Sequence, residues 1–220
     1  MKLTRYGTDV LFAIAVIVIV LVGLAFWTPE LWVRILLIAI ALFLGGFSLN
    51  FFRDPNRVIE ADGRPVENLI VSPADGKIVE IRETEEPDFL QHTATRISIF
   101  MSPLDVHVNR APITGTVEYI RYVKGEFLVA HAPEATHRNE RAIIGMTRGD
   151  RKVLFAQVAG YIARRIVCTA KVGDRLSAGE RFGMIKFGSR VDVFVPNGAR
   201  LLVVSGAMVR AGETVLAEFT

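Results

Sequence analysis

The sequence predicts a mainly β protein: a compact β-sandwich or barrel-like domain with repeated hairpins, preceded by an N-terminal two-helix membrane hairpin. Two long apolar runs lie near the N-terminus. From Leu69 onward, short β-like segments alternate with turns rich in Gly, Pro and Asp, and only the short segment 159–165 has a helical pattern. The turn sequences at 171–180 and 208–215 resemble each other, with Gly followed by Asp or Glu in both, which indicates repeated hairpins and suggests an internal duplication.

The apolar runs cover residues 10–26 and 31–52. Each is long enough to cross a hydrocarbon core of ~30 Å as a helix. Trp27 and Trp32 bracket the turn between them, where interfacial aromatic residues belong, and Arg34 can extend to the same interface. A signal peptide is the alternative interpretation of the first run. It is disfavoured because no small-x-small cleavage site follows and a second apolar run does.

Basic residues flank both outer ends of the predicted hairpin: Lys2 and Arg5 before it, Arg53 and Arg57 after it. By the positive-inside rule, both ends face the cytoplasm. The sequence therefore predicts a membrane hairpin with its exit segment at 1–57 and a cytoplasmic domain at 58–220. That domain would be tethered at the membrane surface.

Composition excludes several classes of function. The chain has 220 residues and a formal net charge of +3, with no long Lys/Arg block, so nucleic-acid binding is not expected. Its single cysteine, Cys168, excludes an internal disulfide and a cysteine-cluster metal site. His131 and His137 flank a loop, but this spacing without further ligands is not typical of a metal site, and no metal is expected.

Polar groups collect at three places in otherwise apolar segments. Asp75 lies in Ser-Pro-Ala-Asp-Gly at 72–76, where Asp-Gly is a strong turn signal. Asp105, His107 and Asn109 alternate, which predicts one face of an extended strand. Ser189 follows a glycine between two β-like segments. A glycine there usually marks a bulge or a close backbone approach, so the hydroxyl is expected beside a bent, accessible peptide bond.

Two chemistries fit a serine in this setting. A hydrolase would need a histidine base, and His107 could serve. Alternatively, the hydroxyl of Ser189 could attack the carbonyl of Gly188 and convert the amide to an ester. β-Elimination would then cleave the chain and leave dehydroalanine, which hydrolyses to an N-terminal pyruvoyl group. A ketone at that position is an electron sink that can form an imine with a substrate amine.

Four motifs occur in order along the chain: Phe-Phe-Arg-Asp-Pro at 51–55, Ser-Pro-Ala-Asp-Gly at 72–76, Phe-Met-Ser-Pro-Leu-Asp-Val-His at 100–107 and Phe-Gly-Ser-Arg-Val-Asp-Val-Phe at 187–194. With them the chain resembles phosphatidylserine decarboxylase in its short bacterial and archaeal form. The resemblance implies a proenzyme that cleaves itself between Gly188 and Ser189. Residues 1–188 would form a β chain, residues 189–220 an α chain, and Ser189 would become a covalent pyruvoyl cofactor.

The resemblance also implies an activity and roles for two further residues. The family is a carboxy-lyase that converts phosphatidylserine to phosphatidylethanolamine and CO2 through a Schiff base on the pyruvoyl group. His107 matches the family histidine linked to decarboxylation and would be the proton donor. Asp75 matches the aspartate of the self-processing relay. The implied partners are phosphatidylserine in the cell membrane and the two chains of one precursor. Whether the protein forms a homo-oligomer stays open.

One position departs from the longer family members. They carry a second histidine three residues after the first, where this chain has Arg110. The processing base therefore stays open between His107 and Asp75.

A competing interpretation is a membrane-anchored carrier of the lipoyl or biotinyl type, which the Gly-Asp and Gly-Glu turns favour. Such a carrier needs an exposed lysine at a hairpin tip, and the sequence around Lys186 does not match its motif. Cleavage at Gly188–Ser189 distinguishes the interpretations, because neither the carrier nor a serine hydrolase requires it.

Overall fold

The computed structural model describes residues 2–128, 138–161, 165–186 and 189–220. It divides into two compact units, Met1–Pro55 and Asn56–Thr220. The first unit is helical and the second is built of antiparallel strands. The predicted fold class, mainly β with two apolar helices in front, is confirmed.

The helical unit begins with a short 3₁₀ turn, Arg5–Gly7, which leads into α1 (Thr8–Trp27) and then α2 (Leu31–Phe51). Both helices are long and apolar enough to cross a membrane. They pack against each other and still expose large apolar side chains such as Phe26 and Phe43, as helices do that face lipid. Arg34 donates to the carbonyls of Ala25 and Thr28, each at 3.1 Å, so its charge serves the connection between the helices.

The two ends of this helical unit are joined by backbone hydrogen bonds. Thr4 N donates to Phe52 O at 2.9 Å, and Asp54 N donates to Lys2 O at 2.8 Å. The chain therefore enters and leaves the helix pair on one side, as the flanking basic residues require. Which side of a membrane this is, and the division into a membrane segment and a cytoplasmic domain, stay predictions.

The second unit contains three sheets, in which all paired strands are antiparallel. The strands are β1 (Leu69–Val71), β2 (Gly76–Glu86), β3 (His92–Met101), β4 (Val108–Arg110), β5 (Gly115–Val123), β6 (Arg141–Arg148), β7 (Arg151–Val158), β8 (Arg165–Cys168), β9 (Arg175–Leu176), β10 (Arg181–Lys186), β11 (Ser189–Pro196), β12 (Ala199–Leu201), β13 (Met208–Val209) and β14 (Val215–Phe219). A curled eight-stranded sheet has the order β13-β2-β3-β11-β7-β6-β5-β9, and two small sheets have the orders β1-β14-β12 and β4-β10-β8.

One predicted element is wrong. The segment 159–165 reads as a short helix in the sequence, but Ala159, Gly160 and Tyr161 are not helical and Arg165 begins β8. The remaining residues of that segment lie outside the described part of the chain. Strand pairing decides here, because β8 pairs with β10 along its whole length, and this tertiary pairing outweighs the local helical pattern.

The large sheet has an internal two-fold relationship. The β2–β3 hairpin on one side of the sheet corresponds to the β5–β6 hairpin on the other. Both hairpins carry a register shift at the same point, between Ile78 and Glu80 in one and between Val117 and Tyr119 in the other. The strand order places the approximate axis between β11 and β7.

The short edge strands repeat this relationship. β13 pairs with β2 at Gly76 and Lys77, and β9 pairs with β5 at Gly115 and Thr116. Both edge strands come from the recurring turn pattern of the sequence. The two halves of the large sheet therefore share one strand arrangement, in agreement with the internal duplication that the sequence suggests.

The two halves also exchange hydrogen bonds across the centre. Val71 N donates to Pro112 O at 2.8 Å, and Arg110 N donates to Pro73 O at 3.0 Å. The apolar core lies between the large sheet and the two small sheets, and β11 contributes a row of fully buried valines to it. The start of β11 is therefore held on a rigid element, which matters for the site at Ser189.

Candidate active site

Ser189 is the first residue of β11 and lies opposite Met101, the last residue of β3. Its hydroxyl donates to the thioether sulfur of Met101, with Oγ and Sδ 3.3 Å apart. The ladder from Ser189 onward has no register shift, and the residue is fully buried. The expectation of a bulged, accessible serine is therefore wrong for Ser189 itself, because β3 and the core enclose it. Gly188 lies outside the described residues.

A buried amide network continues from the same sulfur. Asn109 Nδ2 lies 3.9 Å from Met101 Sδ and 3.4 Å from Pro73 O, both long contacts. Asn109 Oδ1 accepts a shorter bond, 2.9 Å, from Nε2 of Gln157. Gln157 Oε1 is buried and has no hydrogen-bond partner among the residues that the structure describes. A weakly satisfied amide donor thus lies near the sulfur that Ser189 contacts. Sequence reasoning missed Gln157, a lone amide in the apolar strand β7.

Asp105 shapes the turn that follows β3. Its backbone N–H donates to Ser102 O at 2.8 Å, and its carboxylate accepts from Ser102 N at 2.7 Å. The prediction that Asp105, His107 and Asn109 share one strand face is wrong, because this turn precedes β4, which begins only at Val108. Sequence alternation cannot reveal an aspartate that closes its own turn.

His107 is fully buried directly after this turn. Its Nδ1 lies 2.9 Å from the carbonyl oxygen of Asp105. A carbonyl can only accept, so a hydrogen bond between these two atoms requires a proton on Nδ1. Nε2 is then the nitrogen that can take up or release a proton toward a reacting group.

Asp75 is buried and both of its carboxylate oxygens accept hydrogen bonds. Oδ2 accepts from Arg57 Nη2 at 2.8 Å, and Oδ1 accepts from the backbone N–H of Ala211 at 2.8 Å. Arg57 also donates to Glu213 at 2.9 Å. Burial raises the pKa of Asp75 above its ordinary value, against the lowering effects of Ala211 and Arg57, and the charge of Asp105 raises it further. The turns that contain Asp75 and Asp105 are therefore electrostatic neighbours.

Met101 is where the predicted site residues converge. Gly76, next to Asp75, packs so tightly on the end of β3 that a Cβ would overlap Phe100 O and lie 3.3 Å from the Cα of Met101. Ser189 pairs with Met101 from the other side, and His107 follows the turn that leaves Met101. The structure thus brings the Asp75 turn, the His107 turn and Ser189 to one residue.

The Arg110 side chain makes structural contacts and is not placed to act as a base. Its Nη1 donates to Gly179 O at 2.9 Å, and its side chain packs on Gly212. A guanidinium does not lose its proton at physiological pH. Of the residues considered for the processing base, Asp75 and His107 therefore stay the candidates.

Two further features bear on the alternatives. His131 and His137 lie outside the described residues, and within the described ranges no group of three or more His, Cys, Asp or Glu could hold a metal ion. Lys186, the lysine that a carrier would have to expose, is only 3% exposed in β10. The carrier interpretation therefore lacks its attachment residue.

Fold and site together define a mainly β protein whose polar centre is built around one buried serine. The family model described as phosphatidylserine decarboxylase matches residues 44–217. A protein named phosphatidylserine decarboxylase proenzyme from Chlorobium chlorochromatii is 44% identical over 99% of this chain and 100% of its own. Another of that name, from Salinibacter ruber, is 48% identical over 89% of this chain and 86% of its own. The chain belongs to the phosphatidylserine decarboxylase family.

Proposed function

We propose that this chain is a proenzyme that cuts itself between Gly188 and Ser189 and then decarboxylates phosphatidylserine to phosphatidylethanolamine. Membership of the family and the proenzyme names of its relatives support this proposal. The observation that carries it is the convergence on Met101, where the turns of Asp75 and His107 meet the strand that begins at Ser189.

The self-cleavage begins at the Ser189 hydroxyl. Oγ attacks the carbonyl carbon of Gly188, its proton passes to the nitrogen of Ser189, and the amide becomes an ester. A base then removes the Cα proton of Ser189 while the Cβ–Oγ bond breaks. The products are a carboxylate at Gly188 and dehydroalanine at position 189. Addition of water to the imine tautomer of dehydroalanine releases ammonia and leaves the pyruvoyl group.

The surroundings of Ser189 fit such a group. Its position is fully buried, and the amide of Asn109 lies near the same sulfur that Ser189 contacts. A carbonyl at position 189 would find a donor in that amide. The pyruvoyl group would supply an electron sink for the charge that develops when CO2 leaves the substrate.

His107 is proposed as the proton donor to the substrate carbon. The carbonyl of Asp105 fixes Nδ1 and so fixes the orientation of the ring. Nε2 can then deliver a proton to the carbon that has lost CO2. Asp75 is proposed to act in the processing step, because its carboxylate lies on the turn that packs against the end of β3.

The two apolar helices fit a phospholipid substrate. Acyl chains stay in the bilayer, so a tethered active site at headgroup level meets its substrate at a raised effective concentration. We propose that the catalytic unit lies on the cytoplasmic side, because Lys2, Arg5, Arg53 and Arg57 flank the outer ends of the helices.

The test is an intact mass measurement of the purified full chain under denaturing conditions. The expected result is two species, the smaller beginning at position 189 and lighter by one ammonia than a fragment with an N-terminal serine. Ser189→Ala should give a single uncut chain that forms no phosphatidylethanolamine. Ser205→Ala, at an exposed turn, is the matched control and should be cut normally. Cleavage of the Ser189→Ala chain would refute the assignment.

A further inference from the structure

The internal duplication supplies a natural comparison for Asp75. In one half, the backbone N–H of Ala211 donates to Asp75 Oδ1 at 2.8 Å. In the other half, the backbone N–H of Ala178 donates to Thr114 Oγ1 at 2.9 Å. Asp75 precedes Gly76 and Thr114 precedes Gly115, the two glycines that the edge strands pair in the same way. The turn therefore needs a side-chain acceptor at this position, and a neutral hydroxyl suffices.

What distinguishes the two positions is charge. Asp75 offers a second carboxylate oxygen, and Arg57 binds it. The side chains of Arg57 and Asp75 are 9% and 11% exposed. Burying an ion pair costs desolvation that the attraction between the charges only partly offsets, so such a pair is weak evidence of a stabilising role. Because Thr114 builds the same turn without any charge, the ion pair calls for a functional explanation.

We propose that Arg57 is a positioning residue that keeps Asp75 ionised and oriented for self-cleavage. The inference rests on the proposed function, since it concerns the processing step at Ser189. Arg57 lies just beyond Pro55, where the helical unit ends. The positive charge that Asp75 needs is thus the guanidinium of Arg57, in the segment that follows the two apolar helices. A chain in which Arg57 does not contact Asp75 would therefore cleave itself slowly.

The charges around Asp75 determine the direction of the effect. Arg57 is positive, Asp105 and Glu213 are negative, and Arg210 lies 3.6 Å from Glu213. Burial and Asp105 raise the pKa of Asp75, and the N–H of Ala211 and the charge of Arg57 lower it. Removing Arg57 leaves the Ala211 hydrogen bond to oppose burial and the charge of Asp105 without the help of a cation. The carboxylate form then becomes scarcer at neutral pH, and the rate of a step that needs it rises only at higher pH.

The experiment follows the appearance of the two fragments over time in freshly synthesised full chain with detergent or vesicles, across a pH series. For Arg57→Gln we expect cleavage about tenfold slower or more at neutral pH, which corresponds to a rising limb whose midpoint lies roughly one pH unit or more above the assay pH. Cleavage should recover toward alkaline pH. Arg57→Lys keeps the charge and should restore most of the rate.

Three further variants control the interpretation. Asp75→Thr copies Thr114, so it should fold, with thermal unfolding close to wild type, and stay uncut at every pH. Arg64→Gln removes an arginine of the same segment that pairs with Asp62 and should cleave normally. Glu213→Gln removes a negative charge near Asp75 and should move the rising limb toward lower pH.

The outcomes separate this inference from the proposed function. An Arg57→Gln chain with the wild-type rate and pH profile would overturn the role of Arg57, while cleavage at Ser189 would still stand. Failure of Arg57→Lys to restore the rate would also overturn it, because the arginine would then act by shape rather than charge. An alkaline shift for Glu213→Gln contradicts it even if Arg57→Gln fails to fold. If the wild-type chain is never cut, the proposed function itself fails.

Discussion

The carbonyl of Asp105 anchors the His107 ring through Nδ1. This contact helps to distinguish two roles considered for His107, proton transfer in decarboxylation and proton transfer in self-cleavage. A ring that is fixed at one nitrogen can transfer protons repeatedly at the other, which suits a step that recurs with every substrate molecule. Self-cleavage happens once per chain and has Asp75 as a second titratable group. His107 should therefore matter more for decarboxylation than for processing.

This difference can be measured with His107→Ala. We expect both fragments to form, and the formation of phosphatidylethanolamine per cut chain to fall by about 10²-fold or more, the usual contribution of a positioned acid. The control is His92→Ala, an exposed histidine whose Nδ1 also lies near a backbone carbonyl. Normal turnover by the cut His107→Ala chain would mean that the histidine is structural.

Sequence motifs predict Ser189, His107 and Asp75 as site residues, because each lies in a short pattern with unusual residue spacing. They could not select Arg57 or Gln157. The contact of Arg57 with Asp75 and the contact of Gln157 with Asn109 join segments far apart in the chain. Long-range pairing of this kind leaves no local pattern, so only the folded structure reveals it.

At the level of elements, the longer strands were predictable and the shortest were not. Strands such as β3 and β7 carry enough apolar and β-branched residues to be recognised. β9 and β13 have two residues each, too few to show a period. β10 contains Gly183, which normally argues against a strand interior. Here glycine is required because a Cβ would overlap Val167 O on the neighbouring strand.

A prediction at this scale concerns Gly115 at the start of β5. A Cβ there would overlap the carbonyl oxygen of Thr147 on β6, which is backbone and cannot move aside. Gly115→Ala should lower the free energy of unfolding by roughly 1–3 kcal/mol, the usual range for overpacking. The control is Gly45→Ala in α2, where no atom lies within 4 Å of the added carbon. Thermal unfolding in detergent measures both, and equal stabilities would contradict the packing argument.

At the scale of the whole molecule, the residues after the cleavage point belong to two of the three sheets. β11 lies between β3 and β7, β13 pairs with β2, and β14 lies between β1 and β12. The core valines Val191, Val193 and Val195 also come from this fragment. Burial of each such side chain contributes about 1.5–3 kcal/mol, beyond the ladder hydrogen bonds.

The fragment 189–220 should therefore stay bound to residues 1–188 after cleavage. The two chains should elute together in native size-exclusion chromatography and separate only in denaturant. The uncut Ser189→Ala chain gives the reference elution volume. Loss of the small fragment on a native column would show that the strand pairing does not hold it.

The internal duplication was visible in the sequence only as a weak turn repeat. Its two copies of the hairpin share register and bulge position but few side chains, because the backbone pattern tolerates many sequences. One copy carries Thr114 at this position and the other carries Asp75. Motifs predict the site in the copy with Asp75, but the equivalence of the two positions could not be predicted from the sequence.

The proposed cleavage point lies between two sheets, and this position affects folding. Lys186 ends β10 in one small sheet and Ser189 begins β11 in the large sheet, so a cut before Ser189 would leave the pairing of these two described strands in place. We expect the cut molecule to keep the conformation of the precursor but to lose the covalent link between its pieces. Folding of the precursor is unimolecular, whereas refolding of the cut protein requires two separate chains to associate. Its recovery from denaturant should thus depend on protein concentration, and each molecule can fold as one chain only once.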